Sequence, residues 1–158
     1  MSKLNKDQAL QKLRHYCGYQ ERSHKEVKDK LYSFGLYKQD VEEAIATLIE
    51  EDYLNEERYA TAFAGGHFRS KQWGRVKITY ELRQKGVSAY CINKALKEID
   101  ENDYLETIRS LIQKKSESLR GERLNAFARQ QKIMNYMMQK GFEPPIIQQV
   151  LKAMHVPE

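Results

Sequence analysis

The sequence predicts an all-α protein made of three tandem three-helix, helix-turn-helix-like repeats that form an elongated, curved array. The first observation behind this is a template of apolar residues laid out around three glycines, Gly35, Gly86 and Gly141. Eight residues before each glycine stand Val27, Ile78 and Ile133, and four before stand Leu31, Leu82 and Met137. One residue after come Leu36, Val87 and Phe142, and six after come Val41, Ile92 and Ile147. Nine after come Ala44, Ala95 and Val150, and ten after come Ile45, Leu96 and Leu151. All eighteen positions are apolar in a chain that is 41% apolar, and the glycines lie 51 and 55 residues apart. Such spacing puts a buried stripe on each of two helices that meet at a glycine, whose missing Cβ permits the left-handed backbone that ends a helix. The second observation is a set of helix-capping residues, Ser23, Asn55 and Ser88, and the third is the absence of strand alternation or hairpin dipeptides.

Taken in order, the first helix runs from about Asn5 to Cys17 with Leu10, Leu13 and Cys17 inward, and Gly18 ends it. Ser23 opens the second with Ser-His-Lys-Glu, a capping box in which Ser23 and Glu26 satisfy each other's free backbone donors, and Gly35 stops it. The third runs from about Gln39 to Glu51. Asn55 caps a fourth that buries Tyr59, Ala60 and Phe63, and Gly74 closes it. The fifth and sixth flank Gly86, with Ser88 as the cap of the sixth. The seventh starts after Asn102 with Leu105, Ile108 and Ile112 inward, and the last two flank Gly141. Pro144 and Pro145 open the ninth, where a missing N–H matters little. Ser116–Glu122 is polar and contains a glycine, so it reads as a loop and hinge. Met134, Met137 and Met138 read as core-filling side chains. The repeats divide at 1–52, 53–101 and 102–158. A unit of about 50 residues buries little surface alone, so neighbouring repeats are expected to lean on one another.

Charge is unevenly spread. The net charge is +5, yet His67–Lys97 holds eight basic residues against Glu81, and Asp40–Tyr59 holds eight acidic residues against Arg58. The basic stretch suits nucleic acid or an acidic protein surface. The longest apolar run is four residues, Ala89–Ile92, far short of the ~20 that cross a bilayer. An N-terminus without an apolar signal core, and only two cysteines, Cys17 and Cys91, placed on helix stripes, point to a cytoplasmic chain with reduced core thiols. Catalytic devices do not emerge. No phosphate-loop motif is present, Gly65-Gly66 lacks the glycines of a nucleotide fingerprint, and His15, His24, His67 and His155 are scattered without metal-ligand spacing. A non-enzymatic protein without cofactor or metal is expected.

Binding chemistry is better represented. With Ile92, Leu96 and Ile99 inward, the sixth helix presents Tyr90, Asn93, Lys94 and Lys97. Together with Arg69, Lys71, Arg75, Lys77, Arg83 and Lys85 these form the candidate nucleic-acid or partner surface, since lysine and arginine engage phosphate without reading sequence. Trp73, Tyr80 and Tyr90 lie among the cations and can stack on unpaired bases; packing between repeats is the alternative role for Trp73, and half-buried helix neighbours for the tyrosines. Helix-turn-helix geometry serves protein scaffolds as well as DNA readers.

Four segments then resemble one known family. Arg22–Gly35 (RSHKEVKDKLYSFG), Glu50–Phe63 (EEDYLNEERYATAF), Trp73–Val87 (WGRVKITYELRQKGV) and Lys132–Leu151 (KIMNYMMQKGFEPPIIQQVL) are similar to the RecX regulatory proteins of bacteria. The resemblance implies three tandem three-helix repeats and a cytoplasmic, monomeric regulator of the RecA recombinase. It implies binding in the helical groove of the RecA filament on DNA, a block on extension or promotion of disassembly, and a fall in ATP hydrolysis, strand exchange and co-protease activity. Direct binding to single- or double-stranded DNA is also implied. Where the family often has an aspartate pair, this chain has Asn55-Glu56-Glu57. The competing expectations from the residues alone are a stand-alone DNA-binding protein with tandem helix-turn-helix units and a helical-repeat adaptor for another protein.

Overall fold

The computed structural model describes residues 3–154, which hold nine α-helices and no strand among them. They are α1 (Lys6–Tyr19), α2 (His24–Ser33), α3 (Lys38–Glu50), α4 (Glu56–Lys71), α5 (Arg75–Gln84), α6 (Ala89–Lys97), α7 (Glu101–Ser118), α8 (Ala126–Gln139) and α9 (Pro144–Met154). His155 and the end of the third repeat beyond residue 154 lie outside the described residues. No described helix is long and apolar enough to cross a membrane.

The repeat template is realised at the level of backbone and burial. Gly35, Gly86 and Gly141 adopt φ of 88°, 77° and 94°, the left-handed turn that only glycine enters freely. Sixteen of the eighteen template residues are buried; the two that are only partly covered, Ile45 and Leu96, both sit ten residues after their glycine. The predicted caps form as well. Ser23 accepts from the Glu26 amide while the Glu26 carboxylate accepts from the Ser23 amide, each at 3.0 Å. Asn55 Oδ1 accepts from the Arg58 amide at 2.9 Å, and Ser88 Oγ from the Cys91 amide at 3.2 Å.

Four boundaries differ from expectation. Gly18 does not end α1, which runs through it to Tyr19 before the extended Gln20. Gly74 does not close α4: Gln72, at φ 56°, takes the left-handed conformation, and Gly74 serves tertiary packing instead. Helix α7 starts earlier than Asn102, because the Asp100 carboxylate caps it by accepting from the Asp103 amide at 2.9 Å. Its buried face is therefore Tyr104, Ile108, Leu111 and Ile112, with Leu105 half-covered. The helix continues through Ser116–Ser118, so the polar loop is confined to the residues after Leu119.

Contacts gather the chain into two compact units, one holding Met1–Phe63 with Glu81–Ala95, the other Ala64–Tyr80 with Leu96–Glu158. Helices α4, α5 and α6 each contribute residues to both. In the first unit α1 packs on α2 and α3, and α2 on α3. Leu10, Leu13, Val27, Leu31, Val41 and Leu48 belong to one buried cluster, with Phe34 and Ile45 packed against it. Arg58 pins the turn after α3, donating to the Asp52 carboxylate at 3.1 Å and its carbonyl at 2.9 Å, and to Glu21 at 2.6 Å. Those bonds hold Asp52 at φ 63°, a conformation a non-glycine residue rarely adopts.

In the second unit α7 packs on α8 and α9, and Tyr104 is fully buried between Phe68 (ring centroids 5.7 Å) and Phe142 (5.4 Å). Gly74 is also buried, and its amide donates to the Lys140 carbonyl at 2.8 Å while the Val76 amide donates to the Gly141 carbonyl at 2.9 Å. A Cβ on Gly74 would strike the backbone of Gly141 and Phe142, the latter nitrogen at 2.5 Å. A tie recurs between repeats. Tyr59 and Tyr104 each stand four residues after the cap of their helix, Asn55 and Asp100. Tyr59 reaches Ser23 and Glu26 at the start of α2, and Tyr104 reaches the first amide of α5, that of Arg75, at 2.9 Å. Burial pushes the Tyr59 hydroxyl up to about 12, and burial together with the Glu143 carboxylate raises that of Tyr104 as well.

Candidate nucleic-acid and partner interface

The eleven candidate residues fall in both units. Arg69, Lys71, Trp73, Arg75, Lys77 and Lys97 belong to the second unit, and Arg83, Lys85, Tyr90, Asn93 and Lys94 to the first.

In the second unit the end of α4 and the first turn of α5 bracket Trp73. The indole is half-buried, stacked on His67 at 4.5 Å, with Lys77 Nζ 4.7 Å and Lys71 Nζ 5.6 Å from its ring. One aromatic thus gathers two cations, while the exposed Arg69 lays its guanidinium beside Gly65, 2.7 Å from where a Cβ there would lie. Lys97 is exposed on the last turn of α6. Arg75 is placed differently from its neighbours. Its side chain is only 21% exposed, is ion-paired to Glu101 at 2.5 Å and Glu143 at 3.0 Å, and lies 3.8 Å from the Tyr104 ring. Glu143 in turn accepts from the Tyr104 hydroxyl. Burial alone would make this guanidinium easier to deprotonate, but Glu143 and its other anionic neighbours more than reverse that and raise its pKa. The geometry makes Arg75 a tie between α5, α7 and the turn before α9.

In the first unit Arg83 is exposed, Lys85 half-covered, and α6 turns Tyr90, Asn93 and Lys94 to solvent while Cys91, Ile92 and Ala95 are buried. Tyr80, which belongs to the second unit, is 61% exposed and Tyr90 66% exposed. Lys94 lies 5.7 Å from the Tyr90 ring and pairs with Glu57 at 3.2 Å, a hydrogen bond that raises its pKa. The Ser88 hydroxyl, besides capping α6, donates to Glu56 at 3.1 Å. The carboxylates of the acidic stretch are thus partly engaged with the protein's own cations: Glu43 with Lys6, Glu51 with Arg14, Asp52 with Arg58 and Glu57 with Lys94.

The two cysteines are free and buried, and desolvation raises both thiols, which suppresses the reactive thiolate. Among the described residues no group of three or more histidine, cysteine or acidic side chains is placed to hold a metal ion. Sequence reasoning overlooked two things. One is the set of partners that occupies Arg75. The other is a further collection of cations on α7 and α8 around Tyr136, whose signal was present in the run of Lys and Arg between Lys114 and Lys140.

Comparison with known proteins matches two stretches of the chain to family models. Residues 55–96 match the family model for the second three-helix domain of RecX, and residues 101–151 that for the third. The regulatory protein RecX of Clostridium perfringens (strain 13 / Type A) is 33% identical over 122 residues, covering 77% of this chain and 57% of that protein. That of Oceanobacillus iheyensis is 29% identical over 144 residues, covering 91% and 52%. The chain therefore spans little more than half the length of these relatives. The crystal structure of RecX from Lactobacillus salivarius superposes with a TM-score of 0.87 at 25% identity, covering 96% of this chain and 97% of that one. A second crystal structure of a regulatory protein RecX gives 0.83 at 22% identity over 93% and 71%, a likeness of fold. Two consecutive domain matches and these relatives, over helices that repeat as the sequence does, show that the chain belongs to the RecX family of regulatory proteins.

Proposed function

We propose that this protein regulates a RecA recombinase, binding the RecA–DNA filament and inhibiting its extension, ATPase and strand exchange. It acts as a cytoplasmic, non-enzymatic monomer in DNA repair, homologous recombination and the SOS response. The observation that carries this reading is membership of the RecX family through its second and third three-helix domains. The first repeat takes residues 1–52, the basic second repeat 53–101 and the third 102–158. Support from the surface comes from the exposed Arg69, Lys71, Arg83, Lys94 and Lys97, with Lys77 against the Trp73 indole. Cations of this kind meet DNA phosphate or acidic recombinase surface.

The test is the single-strand-DNA-dependent ATPase rate of the recombinase with this protein titrated from far below stoichiometric to equimolar. Inhibition at substoichiometric ratios that excess DNA does not relieve is expected. Unchanged hydrolysis, or inhibition that disappears with excess DNA, overturns the filament reading in favour of a stand-alone DNA-binding protein. The exposed Tyr80 and Tyr90, the latter with Lys94 Nζ 5.7 Å from its ring, favour that second reading, since both rings are open to an unpaired base.

A further inference from the structure

We propose that the open groove between α1 and α2 is a binding site for a small aromatic carboxylate. The groove has a volume of about 560 Å³, the size of a site for one small molecule, and all of its lining belongs to the first compact unit.

A short pattern, used twice, builds it. On α1 Lys12 is followed four residues on by Tyr16, and at the end of α2 Lys30 is followed four residues on by Phe34, the residue that closes that helix. Four residues is about one helical turn, so each helix sets an ammonium and a ring on the same side. The packing of α1 on α2 brings the two sets together. Lys30 Nζ comes to lie 5.5 Å from the centre of the Tyr16 ring and 5.8 Å from that of Phe34. The buried Leu13 and the two half-buried rings supply apolar surface, while Lys12, Lys30 and His15 are exposed. Arg22 holds one of the rings: its Nε donates to the Tyr16 carbonyl at 3.0 Å, and its guanidinium lies 3.7 Å from the ring centre. A wall fixed before the ligand arrives lowers the entropy lost on binding.

Charge identifies the ligand. None of the residues lining the groove is acidic, and the ion pairs of the described residues pass Lys12 and Lys30 by. Lys6, Arg14 and Arg58 of the same unit, by contrast, each have a carboxylate of their own. Two ammonium groups beside apolar walls and without a counter-ion fit an anion that carries a ring. The carboxylate pairs with the lysines, and the ring covers Phe34 and Tyr16. An inorganic anion leaves the rings bare, and a neutral ring leaves the lysines unpaired. A long polyanion, whether nucleic acid or acidic peptide, is disfavoured, because residues 1–52 as a whole hold nine basic side chains against ten acidic. The anion that suits the groove is therefore a small one.

The experiment is a titration of the ¹⁵N-labelled full chain with 1-naphthoate, followed by amide chemical shifts; it needs neither a recombinase nor DNA. Saturable binding is expected, with a dissociation constant on the order of 1 mM or below for a ligand of this size. The shifting amides should be those around Tyr16 and Phe34. Lys30→Gln and Lys12→Gln should each weaken binding about fivefold to tenfold, the loss of one charge-assisted contact, and Lys30→Arg should bind like wild type. Both lysines are exposed, so these variants are expected to keep the wild-type melt. The proposal is overturned if 1-naphthoate does not saturate, or if acetate or 1-naphthylmethylammonium binds as tightly, since the anion or the ring alone then suffices. It is equally overturned if the shifts gather around Tyr136, the other ring set among lysines, or if neither lysine variant weakens binding. Displacement of 1-naphthoate from the same amides by oligothymidylate would make the groove a nucleic-acid site and refute the assignment.

Discussion

The same substitution, glycine to alanine, should act with opposite sign at two positions eight residues apart. At Gly74 a Cβ meets main chain, the backbone of Gly141 and the Phe142 nitrogen at 2.5 Å, so no side-chain rotation relieves the overlap. The first turn of α5 has to withdraw, lengthening the Gly74–Lys140 and Val76–Gly141 hydrogen bonds from 2.8 and 2.9 Å. A buried backbone group left without its partner costs ~1–3 kcal/mol, and with partial relaxation the pair amounts to about 2–4 kcal/mol. At roughly 2–4 °C per kcal/mol for a chain of this size, Gly74→Ala should melt about 4–16 °C below wild type. At Gly66, inside α4, an added Cβ meets nothing within 4 Å. Alanine there removes the backbone freedom of glycine in a helix, a gain of about 0.5–1 kcal/mol and a rise of about 1–4 °C. Thermal unfolding followed by far-ultraviolet circular dichroism measures both. A Gly74→Ala protein that melts with wild type would refute the close-approach argument.

The buried ties and the basic surface give four more expectations. Tyr104→Phe leaves the Arg75 amide and the Glu143 carboxylate without the hydroxyl that serves both, and should lower stability by about 1–3 kcal/mol in urea titrations. Because the Tyr59 hydroxyl is raised from 10.0 to about 12, the folded protein holds a proton that the unfolded chain releases first. The corresponding stability is complete below pH 10 and is lost as the pH climbs from 10 towards 12, so Tyr59→Phe should flatten the fall in melting temperature over that same range. On the basic surface, the double change Lys71→Gln with Lys77→Gln should reduce the salt steepness of single-strand binding by about 1.4 while leaving the melt nearly unchanged. Arg75→Gln should do the reverse, destabilising the fold through lost contacts to Glu101 and Glu143 with little effect on the salt slope.

What was legible in the sequence is what local chemistry decides. Helix periodicity and left-handed glycines are local, and so the turns at Gly35, Gly86 and Gly141 and the caps Ser23, Asn55 and Ser88 were readable. Gly18 and Gly74 misled because a glycine near a helix end is a stop only if the chain turns left-handed there. At the end of α4 Gln72 makes that turn, and the reason for Gly74 is a backbone found 66 residues later. The candidate surface shows the same limit. Arg75 is indistinguishable in sequence from Lys71 or Lys77, and only the fold reveals that Tyr104, Glu101 and Glu143 surround it. The cations around Tyr136 lie in a run of Lys and Arg as dense as His67–Lys97, but the sequence does not show which of them meet. Helix α7, the intervening loop and α8 bring them to one groove.

The docking of α5 onto the turn before α9 also sets a timetable for biosynthesis. Gly74 and Val76 bond to Lys140 and Gly141, and Arg75 to Glu143, 68 residues downstream. At a translation speed of about 5–20 residues per second, the first turn of α5 waits on the order of 3–14 s for these partners to be synthesised. Over that interval the Gly74 and Val76 amides are hydrated, and the Arg75 guanidinium, whose partners Glu101 and Tyr104 follow 26 and 29 residues on, still lacks Glu143. A nascent chain halted short of Lys140 therefore carries a half-built second unit whose basic helix start is open to whatever anion is nearby.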